Sequence, residues 1–290
     1  MSVYFSSGAF QGNLGSILDA CEAEALPGLE FTSNFPFAVG ISEQVRAART
    51  RHIPLLVHNY FPPPPEPFVL NLASANTAVL EASLALCRNA IELSRDIGAP
   101  FYSVHSGFAM ELSWDQLGDP AEQAALAPEN LFERSEAEGI FRESIQALSA
   151  HARTCGIGLL IENNVLTQRQ VAAGRAATLL MTSPREIGDF FESLGDDNAG
   201  FLLDVAHAKV AAGALGIEPA DYFKALAGHI RALHLSDNDG ISDSNQPIRK
   251  GAWFAQFLPE YAHLPMIIEV YRLDASGRKQ QVEIVESFVS

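Results

Sequence analysis

The chain has 290 residues, 48% of them hydrophobic, and sets 19 Lys and Arg against 35 Asp and Glu, for a formal net charge of −16. No segment is low-complexity, and no apolar stretch reaches the roughly 18 residues that a membrane-spanning helix needs. The cations are scattered singly, which argues against a nucleic-acid or anionic-membrane partner, because neutralised phosphates supply most of such affinity; a small anion needs only one or two local charges.

In chain order, "VYFSS" (3–7) predicts a strand and "SILDACEAEAL" (16–26) a helix. "GLEFT" (28–32) reads as a second strand and "SEQVRAARTR" (42–51) as a second helix. "IPLLVHN" (53–59) is a third strand, followed by a stiff proline-rich loop, "FPPPPEPF" (61–68). "TAVLEASLALCRNAIELSRDIG" (77–98) carries apolar residues at three- and four-residue spacing and closes on Gly98, a helix C-cap. After the strand "FYSVHS" (101–106), "RSEAEGIFRESIQALSAHARTCG" (134–156) repeats that design and closes on Gly156. "IGLLIEN" (157–163) is the fifth strand. "SPREIGDFFESLG" (183–195) opens a helix with Ser183 as N-cap and Pro184 at the first helical position. "GFLLDV" (200–205), "IRALHLS" (230–236) and "MIIEV" (266–270) complete eight strands.

Alternating strands and helices imply a parallel sheet covered by helices. Eight repeats in a chain of this length predict a (β/α)8 TIM barrel, as one domain over residues 1–290. The runner-up is a doubly wound open sheet. Against it, "SSGAFQGN" offers Gly8 and Gly12 without the spacing of a phosphate-binding turn. Cys21, Cys87 and Cys155 are isolated, with no CxxC, so neither a disulfide framework nor a thiolate zinc site is expected. With no signal-peptide pattern in "MSVYFSSGAF", the expected setting is the cytoplasm. Whether the chain forms a homo-oligomer is left open.

The apolar strands end in polar residues. The third ends in His58, the fourth in His105, the fifth in Glu162, the sixth in Asp204, the seventh in His234 and the eighth in Glu269. In a parallel barrel these positions open on one face. His207 follows Asp204 by one helical turn, and "HLSDNDGISDSN" adds Asp237, Asp239 and Asp243. Taken singly, a strand-end His is a hydrogen-bonding group and an Asp among Gly, Ser and Asn makes a turn. Taken together, several buried carboxylates are expensive unless a cation sits between them. Glu, Asp, His and Glu on four successive strands offer three oxygens and a nitrogen. That set suits Mn²⁺, Co²⁺, Zn²⁺, Mg²⁺ or Fe²⁺ without choosing among them.

This pattern resembles the xylose-isomerase-like TIM-barrel superfamily, and within it the sugar phosphate isomerase/epimerase family, which is related to endonuclease IV. The residues that carry the resemblance are His58 in "LLVHNYF", "LNLAS" (70–74), His105 in "VHSG", Glu162 in "IENN", Asp204 and His207 in "LLDVAHA", His234 and Asp237 in "HLSDNDG", and Glu269 in "IIEV". The resemblance implies a metal held by Glu162, Asp204, His234 and Glu269, with Glu162 and Glu269 as the acid/base pair. It implies an isomerase or epimerase of a small carbohydrate, working by proton transfer beside a carbonyl, with His207 binding substrate or supporting the site. The same resemblance carries the alternative of a metal-dependent phosphodiesterase. Endonuclease IV holds three zinc ions, and His58, His105, His207 and Asp243 match its further ligands. Here the expected Asp-x-His reads Asp243-Ser244-Asn245, and an Asn carbonyl is a poorer zinc ligand. A third class, a barrel that only binds a carbohydrate or a protein, fits less well with all four central ligands in place. Arg249 and Lys250 in "PIRKGAW" and Arg272 in "VYRLD" follow strands seven and eight, so Arg249 and Arg272 are expected to read a phosphate or carboxylate on the substrate.

Overall fold

Eight strands close into a barrel in sequence order: β1 (Ser2–Ser6), β2 (Leu29–Phe31), β3 (Leu55–His58), β4 (Phe101–His105), β5 (Gly158–Glu162), β6 (Ala199–Asp204), β7 (Ile230–Leu235) and β8 (Pro265–Ile268). The computed structural model describes residues 2–289. Every neighbouring pair is parallel, including β8 against β1, where Phe5 stands opposite Ile268. The eight expected strands match these to within two residues at each end. They read as unbroken apolar runs because they are covered on both faces; Leu56, Val104, Ile161, Leu202, Leu203 and Leu233 are wholly buried.

Eleven helices are described: α1 (Leu14–Ala23), α2 (Ile41–Ala48), α3 (Thr77–Ile97), α4 (Pro120–Ala124), α5 (Arg134–Cys155), α6 (Gln168–Ala172), α7 (Pro184–Leu194), α8 (Val205–Leu215), α9 (Ala220–Leu226), α10 (Leu258–Tyr261) and α11 (Ala275–Val289). Their ends follow local chemistry. The Asn76 side chain accepts from the amides of Ala78 and Val79 to start α3, which stops at Gly98 with φ of 79°. Such a left-handed C-cap is a conformation that a side chain disfavours. The Ser183 hydroxyl accepts from the Glu186 amide to start α7. α1 begins two residues before its expected start because Asn13 accepts from the Ser16 amide.

Two loops extend from the C-terminal ends of β3 and β4 and meet each other. After β3, the proline-rich loop folds back on itself, and the Tyr60 hydroxyl accepts from the Phe68 amide at 2.9 Å. After β4, a long segment carries Trp114, whose ring lies 5.4 Å from that of Tyr60. None of the described helices is long and apolar enough to cross a membrane.

Candidate metal centre and active site

The register fixes the site. β4 pairs β5 with His105 opposite Glu162, and β6 pairs β7 with Asp204 opposite His234. One ligand atom each from Glu162, Asp204, His234 and Glu269 lie within 4.8 Å of one another. All four residues are buried, and no cationic Lys or Arg is paired with any of them among the described residues. His234 Nδ1 stands 3.1 Å from Glu269 Oε2, 3.7 Å from Glu162 Oε1 and 3.9 Å from Asp204 Oδ2. These atoms are close without being aligned as hydrogen bonds. Both oxygens of Glu162, Asp204 Oδ2 and both His234 nitrogens have no hydrogen-bond partner. Unpaired carboxylate oxygens of Glu162 and Asp204 and the Nδ1 of His234, buried around one point with Glu269 Oε2, fit a divalent cation between them.

The backbone holds the acids in place. Asp204 Oδ1 accepts from the His207 amide at 2.7 Å, so this residue caps α8 with one oxygen and turns the other inward. Asn163 grips the same residue: its Oδ1 accepts from the Asp204 amide at 2.9 Å, and its Nδ2 donates to the Asp204 carbonyl at 3.1 Å. The Tyr271 hydroxyl donates to Glu269 Oε1 at 3.1 Å. Burial raises the Asp204 carboxyl well above its ordinary value, against the pull of His207, and Glu162 and Glu269 raise it further. Burial also opposes the charge on Glu162, but His105, His234 and His58 together outweigh it and hold that carboxyl well below the usual range.

Three further imidazoles gather around Glu162. Its Oε2 lies 3.2 Å from His58 Nε2 and 3.6 Å from His105 Nε2, and its Oε1 lies 3.2 Å from His207 Nδ1. His58, His105 and Glu162 form a second group of ion-binding geometry. Burial pushes His58 down to about 3, despite Glu162 beside it, and the Ser103 hydroxyl meets its Nδ1 at 3.0 Å. His207 Nδ1 meets the Asn163 carbonyl at 2.9 Å, and its Nε2 faces Asp243 Oδ2 at 3.3 Å. Burial lowers His207, but Asp204 and Asp243 outweigh it and carry the ring well above its ordinary value.

A cavity of about 440 Å³ opens onto these imidazoles. His105, His207 and Asp243 line it, with Tyr60, Phe108 and Trp114 among its aromatic walls. Its lining contains no Lys or Arg.

Three expected site residues lie elsewhere. Asp237 Oδ1 pairs with Lys209 Nζ at 2.7 Å and accepts from the Asn238 amide, so it anchors its own loop. Arg249 and Arg272 are exposed and do not line the cavity. Asn245, in place of the His that the endonuclease pattern carries, is buried with φ of 42°.

Glu30 is a member of the site that the sequence pattern did not mark. It sits on β2, fully buried, with Oε2 at 3.1 Å from His234 Nε2. Its signal was available: "GLEFT" places a carboxylate inside an apolar strand, as "FLLDVAHA" does.

A family model described as xylose isomerase-like TIM barrel matches residues 18–285. The chain belongs to that family. A probable endonuclease 4 of Mycobacterium ulcerans (strain Agy99) is 26% identical over 246 residues, covering 82% of this chain and 79% of that one. Among solved structures, a D-tagatose 3-epimerase-like protein superposes with a TM-score of 0.73 at 19% identity, over 100% of this chain and 97% of that one. The TTHB071 protein of Thermus thermophilus, soaked with ZnCl2, superposes with a TM-score of 0.67 at 21% identity, over 99% and 98% of the two chains. At such identities the superpositions establish the fold.

Proposed function

We infer that this chain is a metal-dependent isomerase or epimerase of an uncharged carbohydrate. The observation that carries the reading is the placement of two carboxylates, Glu162 and Glu269, within 4 Å of His234 Nδ1 in one buried cluster behind a cavity that no Lys or Arg lines. A divalent ion bound there would polarise a carbonyl and the adjacent hydroxyl, which lowers the barrier to removing the proton between them.

Proton transfer falls to the carboxylates. Glu162, held well below the usual carboxylate range, is ionised near neutrality and able to accept a proton. Glu269 comes from β8, three strands away around the barrel, and can deliver or remove a proton from the opposite side. The Tyr271 hydroxyl holds Glu269 Oε1, which leaves Oε2 for the cluster. His207 and Asp243 line the cavity and offer a donor and an acceptor to sugar hydroxyls. The cavity volume falls within the roughly 300–1,000 Å³ of small-molecule sites. Tyr60 and Trp114 supply aromatic faces for the apolar side of a sugar ring. The likeness in fold to a D-tagatose 3-epimerase-like protein supports the same reading.

The second reading, a metal-dependent phosphodiesterase, draws on the His58, His105 and Glu162 group and on the relatedness to a probable endonuclease 4. The acidic charge and a cavity lined by no Lys or Arg weigh against a phosphate-backbone substrate. The test is a panel of neutral ketoses and aldoses incubated with Mn²⁺- or Co²⁺-loaded protein in D₂O. Deuterium entering the carbon beside the carbonyl is the expected result. Incision of abasic-site duplex DNA, with no exchange on any sugar, would reverse the order of the two readings.

A further inference from the structure

His234 has two ring nitrogens and two different surroundings. Nδ1 faces the acids of the cluster, with Glu269 Oε2 at 3.1 Å. Nε2 faces Glu30 Oε2, also at 3.1 Å. Glu30 comes from β2, across the barrel interior from β7, where it stands between Ser6 on β1 and Leu56 on β3. It is 0% exposed, and neither of its oxygens has a hydrogen-bond partner. His234 Nε2 has none either. The two groups are close, 3.1 Å apart, without being aligned as a hydrogen bond. A buried polar atom without a partner is costly, so each is the natural partner of the other.

A neutral imidazole carries one N–H and one lone pair. If Nε2 carries the hydrogen and donates it to Glu30, the lone pair falls on Nδ1, among Glu162, Asp204 and Glu269. The opposite tautomer would aim an N–H at those acids and leave only the carboxylates, with no imidazole lone pair, on that side to bind a cation.

We propose that Glu30 is a positioning residue for the metal centre: it holds the Nε2–H of His234, and thereby presents Nδ1 as the ligand. A carboxylate behind a ligating imidazole also strengthens it as a donor. The inference rests on the metal reading above. It assigns a task to a buried acid that the proton-transfer chemistry does not use. The same nitrogen cannot both donate to Glu30 and bind an ion, so an ion seated among Glu30, His58 and His234, whose ligand atoms also lie close together, is incompatible with it.

The experiment compares Zn²⁺ affinity, by competition with a chromophoric chelator, in the wild type, Glu30→Gln and Glu30→Leu. It is paired with ¹H–¹⁵N correlation spectra of the histidine rings in the Zn²⁺-loaded wild type. Glu30→Gln keeps an acceptor and loses the charge, so affinity should fall about 10-fold; Glu30→Leu removes the acceptor and should lose up to about 100-fold. The spectra should place the hydrogen of His234 on Nε2. Circular dichroism of the metal-free variants checks folding, and if Glu30→Leu does not fold, Glu30→Gln and the spectra decide. Both folded variants binding Zn²⁺ within two-fold of wild type, or spectra with the metal on Nε2, would overturn the proposal and leave the metal reading intact. A wild type that binds no Zn²⁺ overturns both.

Discussion

Around Glu162 the barrel gathers two sets of groups: Asp204 and Glu269 with His234 and Glu30, and the imidazoles of His58, His105 and His207. The carboxylate half is buried and does not line the cavity, while the imidazole half opens through His105 and His207 to it. The difference is one of electrostatic demand. Four buried acids facing one imidazole carry excess negative charge that a low-dielectric interior tolerates badly. Burial lowers His58, to about 3, and His105, so both escape that cost by staying neutral, while His207 carries its charge against Asp204 and Asp243. A cation is therefore needed in the first set and merely accepted in the second.

The sharpest way to break this comparison is to remove an acid. Asp204→Ala should abolish tight metal binding and turnover together, read by elemental analysis of purified protein beside the rate. Full metal content in Asp204→Ala would mean that the carboxylate half does not hold the ion. Glu162→Gln and Glu269→Gln should each lower turnover by about 10²–10⁴-fold, the usual contribution of a general acid or base. The two differ in reach. Glu162 touches three imidazoles beyond the carboxylate cluster, so its loss should disturb both halves; Glu269 should disturb one.

The next effect is in the order of filling. Zn²⁺ titration should show a tight phase at the carboxylate half and a weaker phase at His58, His105 and Glu162. His105→Ala should erase the weaker phase and spare the tight one. A titration curve unchanged by His105→Ala would assign the imidazoles to substrate alone.

Proton competition separates the halves further. In the metal-free protein, Glu30, Glu162 and Glu269 outweigh burial and raise His234 well above 6.5, and burial raises Asp204 well above 3.8. Protons held there must leave before the ion binds, so tight-phase affinity should fall as pH falls, beginning above 6.5. Burial lowers His58 to about 3 and lowers His105 as well, so the weak phase should stay level until well below 6.5. Affinities measured across that range in both phases check the contrast. Parallel slopes would contradict it.

The ease of reading this chain tracks how far each feature depends on neighbours in sequence. Apolar runs announce strands because burial on both faces needs no alternation, and an acid or imidazole ending such a run stands out, as at Glu162 and Asp204. Glu30 escaped because β2 is only three residues long and the acid sits at its centre, not its end. α8 is absent from the helices expected from sequence because "VAHAKVAAGAL" is apolar nearly all round, with no helical stripe to read. Loop charges are the least legible. Asp237 follows a strand end closely, yet its loop pairs with itself, Asp237 and Gln246 exchanging backbone hydrogen bonds at 2.9 and 2.7 Å, and the side chain meets Lys209.

Arg249 and Arg272 give the smallest expected effect and bear on the nature of the substrate. Their closeness in sequence to the ends of β7 and β8 suggested a grip on an anion. Both side chains are instead exposed, and neither has a hydrogen-bonded or ionic partner among the described residues. Arg272 contributes its backbone, its amide donating to the Gly8 carbonyl at 3.0 Å, a bond that Ala preserves. Neither side chain lines the cavity, so Arg249→Ala and Arg272→Ala should leave kcat/KM nearly unchanged, equally on a neutral ketose and on its phosphate. The neutral sugar should be the better substrate of the wild type, because the cavity offers a phosphate no Lys or Arg and its His207 already faces Asp243. A selective loss on the phosphorylated sugar in either variant would mean that these loops swing inward over bound substrate and bring to the cavity the Arg it lacks without one.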